Sequence, residues 1–362
     1  MIHTPFTFSP SGGRVANRTL LAPLTNGQSN DDGTLHEDEL RWLVRRAAGG
    51  FGVITTCAAH VSLDGQGWKG ELGAFDDAMI PGLTRLASAL RAEGSFNVVQ
   101  LVHTGVRAPS SLTGQQPWSA SAFEINVKGV EPPRAATVAD IEGVIANFAA
   151  AAARCEAAGF DGVELHGAHG YLLTQFLGTV TNLRTDGWGG DLDGRARLLF
   201  ETLAAVKAAV SPGFTVGVRL SAEVREQGVT LDDSLEVAGR VAAAGADYLH
   251  ASLWDAFKPS AARPDTALTT LFRAAVPTPC ALVVTGSIWS PAQAATILQQ
   301  GADLVGVGRA AIGNPDWARQ IADPAWEPLR PPFTAEHLRS VEVSPAFLGY
   351  LQRFPGLMAP QE

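Results

Sequence analysis

The sequence predicts an α/β fold, a (β/α)8 TIM barrel with an N-terminal hairpin and a long loop after the third strand. A local pattern recurs at 45–56, 155–165, 243–252 and 299–308, where an Ala-rich helical segment ends in glycine and runs straight into an apolar strand. Glycine at that junction takes the left-handed conformation that closes a helix. The apolar run after it suits a parallel strand covered on both faces. Further apolar runs complete a set at 20–24, 51–56, 97–101, 161–165, 215–220, 246–251, 280–285 and 303–308. Helical patterns lie between them at 140–158, 195–209 and 231–244, and eight alternating βα units close into a barrel rather than an open sheet. Asp232 or Asp233 is expected to cap the helix from Leu231, and Pro291 suits the first turn of the next.

The flanking segments and the composition fit that frame. The first 18 residues, with Phe6-Thr-Phe8 and Arg14-Val-Ala16 around Ser11-Gly-Gly13, predict a hairpin closing the bottom of the barrel. Residues 103–139 are rich in Gly, Pro and Ser, and long loops at a barrel's catalytic end usually serve as lids or binding surfaces. A proline-broken tail runs from about 324, and 1–362 is expected to form a single domain. Hydrophobic residues make up 46% of the chain, enough for a large core, and the net charge of −9 without a Lys/Arg block argues against a nucleic-acid partner. There is no signal-peptide pattern and no apolar run long enough to span a membrane, so a cytoplasmic location is expected. Cys57, Cys155 and Cys280 lie too far apart for a disulfide framework or a zinc site, and a four-thiolate iron–sulfur cluster would need one more.

The chemistry concentrates in Asp161-Gly-Val-Glu-Leu-His-Gly-Ala-His-Gly-Tyr-Leu-Leu173. An apolar run of strand length breaks at Gly167 and Gly170 into a loop carrying His166, His169 and Tyr171. These side chains can donate or shuttle protons, at the strand end where barrels build their active sites. A second cluster leaves strands seven and eight through glycine, at Thr285-Gly-Ser287 and Gly306-Val-Gly-Arg309. Gly286, Ser287 and Gly308 would present backbone N–H groups, and Arg309 a bidentate clamp, to a phosphate; the alternative is a pair of tight turns. Strand one ends in Leu21-Ala-Pro-Leu-Thr25, strand three carries Gln100 and His103, and strand five carries Arg219. A buried arginine needs an acceptor, and Glu223 or Asp247 would serve structurally. A planar ring with a diimide edge would suit Gln100 and Arg219 equally well. With a phosphate site nearby, FMN is the ring to expect.

These pieces resemble the old yellow enzyme family of FMN-dependent ene-reductases over nearly the whole chain. The resemblance rests on Leu21–Thr25, Gln100-Leu-Val-His103, Ala157–Leu173, Asn182-Leu-Arg-Thr-Asp-Gly-Trp-Gly-Gly190 and Gly306–Arg309, in the family's order and spacing. It implies that Pro23, Leu24, Thr25, Ala58, Gln100 and Arg219 hold the flavin ring, and that Gly286, Ser287, Gly308 and Arg309 hold its phosphate. His166 and His169 would hydrogen-bond the activating carbonyl of the substrate, an activated alkene, and Tyr171 would deliver the proton. NADPH or NADH would be the hydride donor, taking the substrate's own position. Trp68, Trp118 and Phe123 are candidate pocket walls, and Arg353 in the tail a candidate for reaching a second copy in a homo-oligomer. The chain also departs from the pattern. Gly27 stands where one branch has a tyrosine that helps hold the substrate carbonyl, and Thr25 where that branch often has cysteine. Val106 interrupts the Q-L-x-H-x-G-R pattern ahead of Arg107.

The function expected on these grounds is NAD(P)H-dependent reduction of enones, enals, maleimides or nitroalkenes. A flavin enzyme acting on nitroesters or nitroaromatics, or a redox-neutral isomerase, would share the flavin residues and differ in the loops at 60–70 and 103–135. From another class, a flavin-free phosphate-binding barrel could use His166 and His169 on a metal, but H-x-x-H on a loop lacks a third ligand of obvious spacing.

Overall fold

The computed structural model describes residues 1–124 and 131–360. Eight parallel strands close into a barrel: Thr19–Leu21, Val53–His60, Phe96–Val102, Gly162–Gly167, Thr215–Ser221, Tyr248–Ser252, Ala281–Thr285 and Leu304–Val307. The last pairs with the first, and the first with the second, so no edge remains. Each strand falls within a few residues of the expected position. The apolar runs owe this to burial on both faces, against the barrel interior and the outer helices.

The outer helices keep their expected places at Val138–Ala157, Leu192–Ala209 and Leu231–Ala243. The cap of the third differs from the reading: Thr230, not Asp232 or Asp233, is the N-cap, and Asp233 returns the bond as the partner of a capping box. The hydroxyl wins because it sits three residues before a carboxylate, which lets both orphan N–H groups be satisfied reciprocally. Pro291 does open its helix, behind Ser290.

The hairpin of Phe6–Thr7 and Arg14–Val15 plugs the bottom of the barrel. Fully buried Phe8 packs 5.7 Å from Phe96 and 5.4 Å from Tyr248, ring centre to ring centre. Asp247 accepts from the Ser11 and Val216 N–H groups at 2.7 and 2.8 Å, tying plug to barrel. At the other end, Trp118–Ser119 pairs with Arg134–Ala135 inside the long loop, whose residues 125–130 lie outside the described ones. Arg184 donates to the Ala120 and Ala136 carbonyls, and Asn182 to those of Phe176 and Trp188. The 182–190 segment thus pins this loop down, a structural task.

The tail folds back over the catalytic end. Its helices Ala335–Ser340 and Pro345–Leu351 are anchored by Phe347, whose ring meets Trp42 edge-on at 5.6 Å. No helix among the described residues is long and apolar enough to cross a membrane.

Candidate active site

A cleft of about 1110 Å³ opens at the C-terminal ends of the strands, the end where barrels carry their chemistry. The tail walls one side of it, through Phe347, Tyr350 and Phe354. Pro23, Leu24, Thr25, Arg219, Gly286, Ser287, Gly308 and Arg309 all line it, as does His169.

The histidine loop forms the compact cluster that the sequence suggested. The His166 ring lies 4.9 Å from those of His169 and Tyr171, each contact edge-on. His169 adopts a positive φ of 62°, rare for a residue with a side chain, and this turns its imidazole back towards the barrel mouth. Trp68 stands 6.4 Å from the Tyr171 ring, placed to wall the same space. Trp118 is no wall: it is buried, donates to Asp64 at 2.8 Å and packs on His103. Phe123 is half-buried in the loop beside it.

A backbone hydrogen bond assigns the His166 tautomer. His166 Nδ1 accepts from the Ala168 N–H at 3.3 Å, leaving the proton on Nε2. Ser252 Oγ accepts from Arg219 Nη2 at 3.0 Å and lies 2.8 Å from His169 Nε2. With the Ser252 hydrogen turned to His169 Nε2, the His169 proton sits on Nδ1. In that arrangement each imidazole keeps one N–H for a ligand.

Burial, with the neighbouring His169 and Arg219, holds His166 well below its ordinary value. Burial and Arg219 do the same to His169, whose ring is open to the cleft though protein surrounds it. Burial pushes Tyr171 up to about 12, against the pull of Arg107. Since a lowered imidazole pKa keeps the ring neutral above it and a raised phenol pKa keeps the proton on, both groups hold working protons across neutral pH. The rate of substrate reduction should therefore stay flat from pH 6 to 9, within the window set by the shifts of His166 and Tyr171. A break near 6.5, the ordinary histidine value, would show these rings ionising freely.

Below the cluster, the barrel interior carries a polar network only partly legible in the sequence. Gln100 Nε2 donates to Glu164 Oε1 at 2.7 Å, and His250 Nδ1 lies 2.8 Å from Glu164 Oε2. Burial would raise Glu164, but His250, Arg219 and Gln100 prevail and hold it below its ordinary value. Burial keeps His250 neutral, so its Nδ1–H donates to Glu164 and its Nε2 accepts from Thr285 Oγ1 at 2.6 Å. The carboxylate that balances Arg219 is thus Glu164, not Glu223 or Asp247. Glu223 pairs with Arg225 and Ser260, and Asp247 serves the bottom plug. A sequence signal existed: Glu164 precedes His166 by two residues on one strand, so both point inward. Ala58 sits opposite Gln100 across the second and third strands, just after a register shift.

The residues present fit a flavin. Arg219 Nε is buried without a partner, an orphan donor that a ring nitrogen or carbonyl would satisfy. Its Nη1 lies 3.5 Å from the Pro23 carbonyl, which ties strand five to strand one. At the turns after strands seven and eight, where a phosphate would sit, Arg309 Nη2 donates to Ser287 Oγ at 2.9 Å, and Ser287 itself takes a positive φ of 54°. A Cβ on Gly286 would come within 2.7 Å of the Leu253 carbonyl, so only glycine lets this turn close. Among the described residues, no group of three His, Cys, Asp or Glu side chains could hold a metal ion.

Comparison with known proteins agrees. The model of the NADH:flavin oxidoreductase / NADH oxidase family matches residues 1–325. The chain belongs to this family. It is 36% identical to the probable NADH-dependent flavin oxidoreductase YqiG of Bacillus subtilis over 326 residues, 88% of this chain and 87% of that one. It is also 36% identical to the NADH:fumarate oxidoreductase of Klebsiella pneumoniae over 88% of its length, but spans only 35% of that protein. Among solved structures, the old yellow enzyme homologue from Zymomonas mobilis superposes with a TM-score of 0.82 at 28% identity, covering 93% of this chain and 96% of that one. Morphinone reductase superposes with a TM-score of 0.78, also at 28% identity, over 93% of this chain and 92% of its own. The protein is a flavin oxidoreductase of the old yellow enzyme family, with FMN and a nicotinamide as its cofactors.

Three residues beside this site escaped sequence reasoning as contributors. Glu164 is described above. Arg107, displaced by the inserted Val106, sits with its guanidinium carbon 5.2 Å from the Tyr171 ring centre. Tyr350, from the tail, lines the cleft with its phenol held against Thr25. It reaches Thr25 from a point more than three hundred residues along the chain. Arg353 is exposed and stacks at 5.7 Å on the Tyr350 ring.

Proposed function

We propose that the protein reduces activated C=C bonds of enones, enals, maleimides or nitroalkenes at the expense of NAD(P)H. The observation carrying this reading is the His166–His169–Tyr171 cluster, two neutral N–H donors and one protonated phenol converging beside Arg219 at the cleft. Bound FMN would supply the hydride. His166 Nε2–H and His169 Nδ1–H would hold the activating carbonyl oxygen, where negative charge grows in the transition state. Tyr171 would give the proton that the α-carbon needs. Pro23, Leu24, Thr25, Ala58, Gln100 and Arg219 would hold the ring and Gly286, Ser287, Gly308 and Arg309 the phosphate, with Trp68 against the substrate. A barrel of this kind, with three free thiols, suits a reducing cytoplasm.

The test is a visible spectrum of the purified protein under anaerobic conditions, before and after NADPH and then 2-cyclohexenone. Flavin absorbance that bleaches with NADPH and returns with the enone supports the reading. Bleaching without return on any activated alkene would redirect it to nitro compounds, and a protein that takes up no FMN would sink it.

A further inference from the structure

Resting on that reading, we infer that the substrate carries an anionic group besides its activating carbonyl, and that Arg107 binds it. Arg107 lines the cleft, is exposed to it, and lies with its guanidinium carbon 5.2 Å from the centre of the Tyr171 ring, which His166 meets at 4.9 Å. Its charge acts on Tyr171, Tyr350, His166 and His169, all of them close to this end of the cleft.

The groups around that space are donors. His166 and His169 are neutral, Tyr171 and Tyr350 keep their protons, and burial pushes the nearby Glu71 carboxyl well above the usual carboxylate range. Of the acids at the cleft, Glu223 is taken by Arg225 and Ser260 and Asp255 faces Lys258, while Glu226 lines the wall beside Arg225. Among the described residues, no ion pair engages Arg107. A guanidinium over an aromatic face, inside a ring of donors, is a receptor for a carboxylate. With both groups beside the Tyr171 ring, a short unsaturated acid with a second carbonyl would place one end at the imidazoles, the alkene beside Tyr171 and the charge at Arg107. The Tyr350 phenol supplies a second donor on the tail side.

The holoenzyme is assayed with monomethyl fumarate and dimethyl fumarate, which differ by one charge and share the activating ester. The wild type should prefer the monoester in kcat/KM, although the diester is the stronger electrophile. Arg107→Gln should lower that preference by roughly tenfold or more, the worth of a charge-assisted hydrogen bond, and Arg107→Lys should restore part of it. Equal losses on both esters would mean that Arg107 only supports Tyr171, and a wild type preferring the diester would also overturn the inference. Calorimetric titration with the saturated monomethyl and dimethyl succinates reads the same preference without turnover. If neither fumarate is reduced but the charged succinate binds tighter, and loses that advantage in Arg107→Gln, the anion site stands while the ene-reductase reading falls. Equal affinities for the two succinates overturn the anion site itself.

Discussion

Tyr171→Phe is expected to slow enone reduction by about 10²- to 10⁴-fold, the usual worth of a positioned general acid. The substitution removes one oxygen from a ring whose packing on His166 and Trp68 needs only its carbon frame. Binding and hydride delivery keep their donors, so the loss should appear in the oxidative half-reaction. Reduction of the flavin by NAD(P)H, followed separately by stopped flow, should change far less. A nitroalkene makes the sharpest probe, because hydride addition alone yields a nitronate that needs no proton to form. The variant should then release nitronate instead of nitroalkane. Equal slowing of both half-reactions would place Tyr171 in binding rather than proton delivery.

The second large effect concerns stability. Arg219→Leu is expected to destabilise the protein by about 3–5 kcal/mol, because it strips Glu164 of its compensating charge inside the barrel. The neutral His250 and Gln100 remain as donors, but neither carries a full charge. Arg219→Leu with Glu164→Leu should recover much of the loss, since a buried pair exchanged for apolar side chains is often close to neutral. Urea titrations of the flavin-free proteins measure both. The double variant should still fail to retain FMN, because the orphan Nε donor has gone with the arginine. A single variant as stable as the wild type would show that Glu164 takes up a proton at little cost, and that the network is softer than its distances suggest.

These two sites also divide what was legible in the chain from what was not. The His166–Tyr171 cluster is local. Three side chains within six residues, broken out of an apolar strand by Gly167 and Gly170, must lie close together wherever the loop goes. The meeting of the two glycine turns was legible for a related reason: strands seven and eight are neighbours in any barrel of this order, so Thr285-Gly-Ser287 and Gly306–Arg309 meet through topology alone. The partner of Arg219 was misjudged because nearby acids in sequence, Glu223 and Asp247, were weighed above one on the adjacent strand. In the barrel, Arg219 pairs in register with His166, two residues beyond Glu164, and this cross-strand neighbour outranks sequence proximity.

The sequence by itself determined the barrel, its plug, the histidine–tyrosine loop and the glycine turns after strands seven and eight, because periodicity, glycine and short-range spacing constrain them before any distant contact forms. The tertiary structure alone decided that Trp118 is buried beneath its loop, that Arg107 lies over Tyr171, and that Tyr350 comes from the tail to stand beside Thr25. Loops and tails carry no period that fixes their direction. Their side chains are placed by packing against partners far along the chain, and that packing exists only once the barrel has closed.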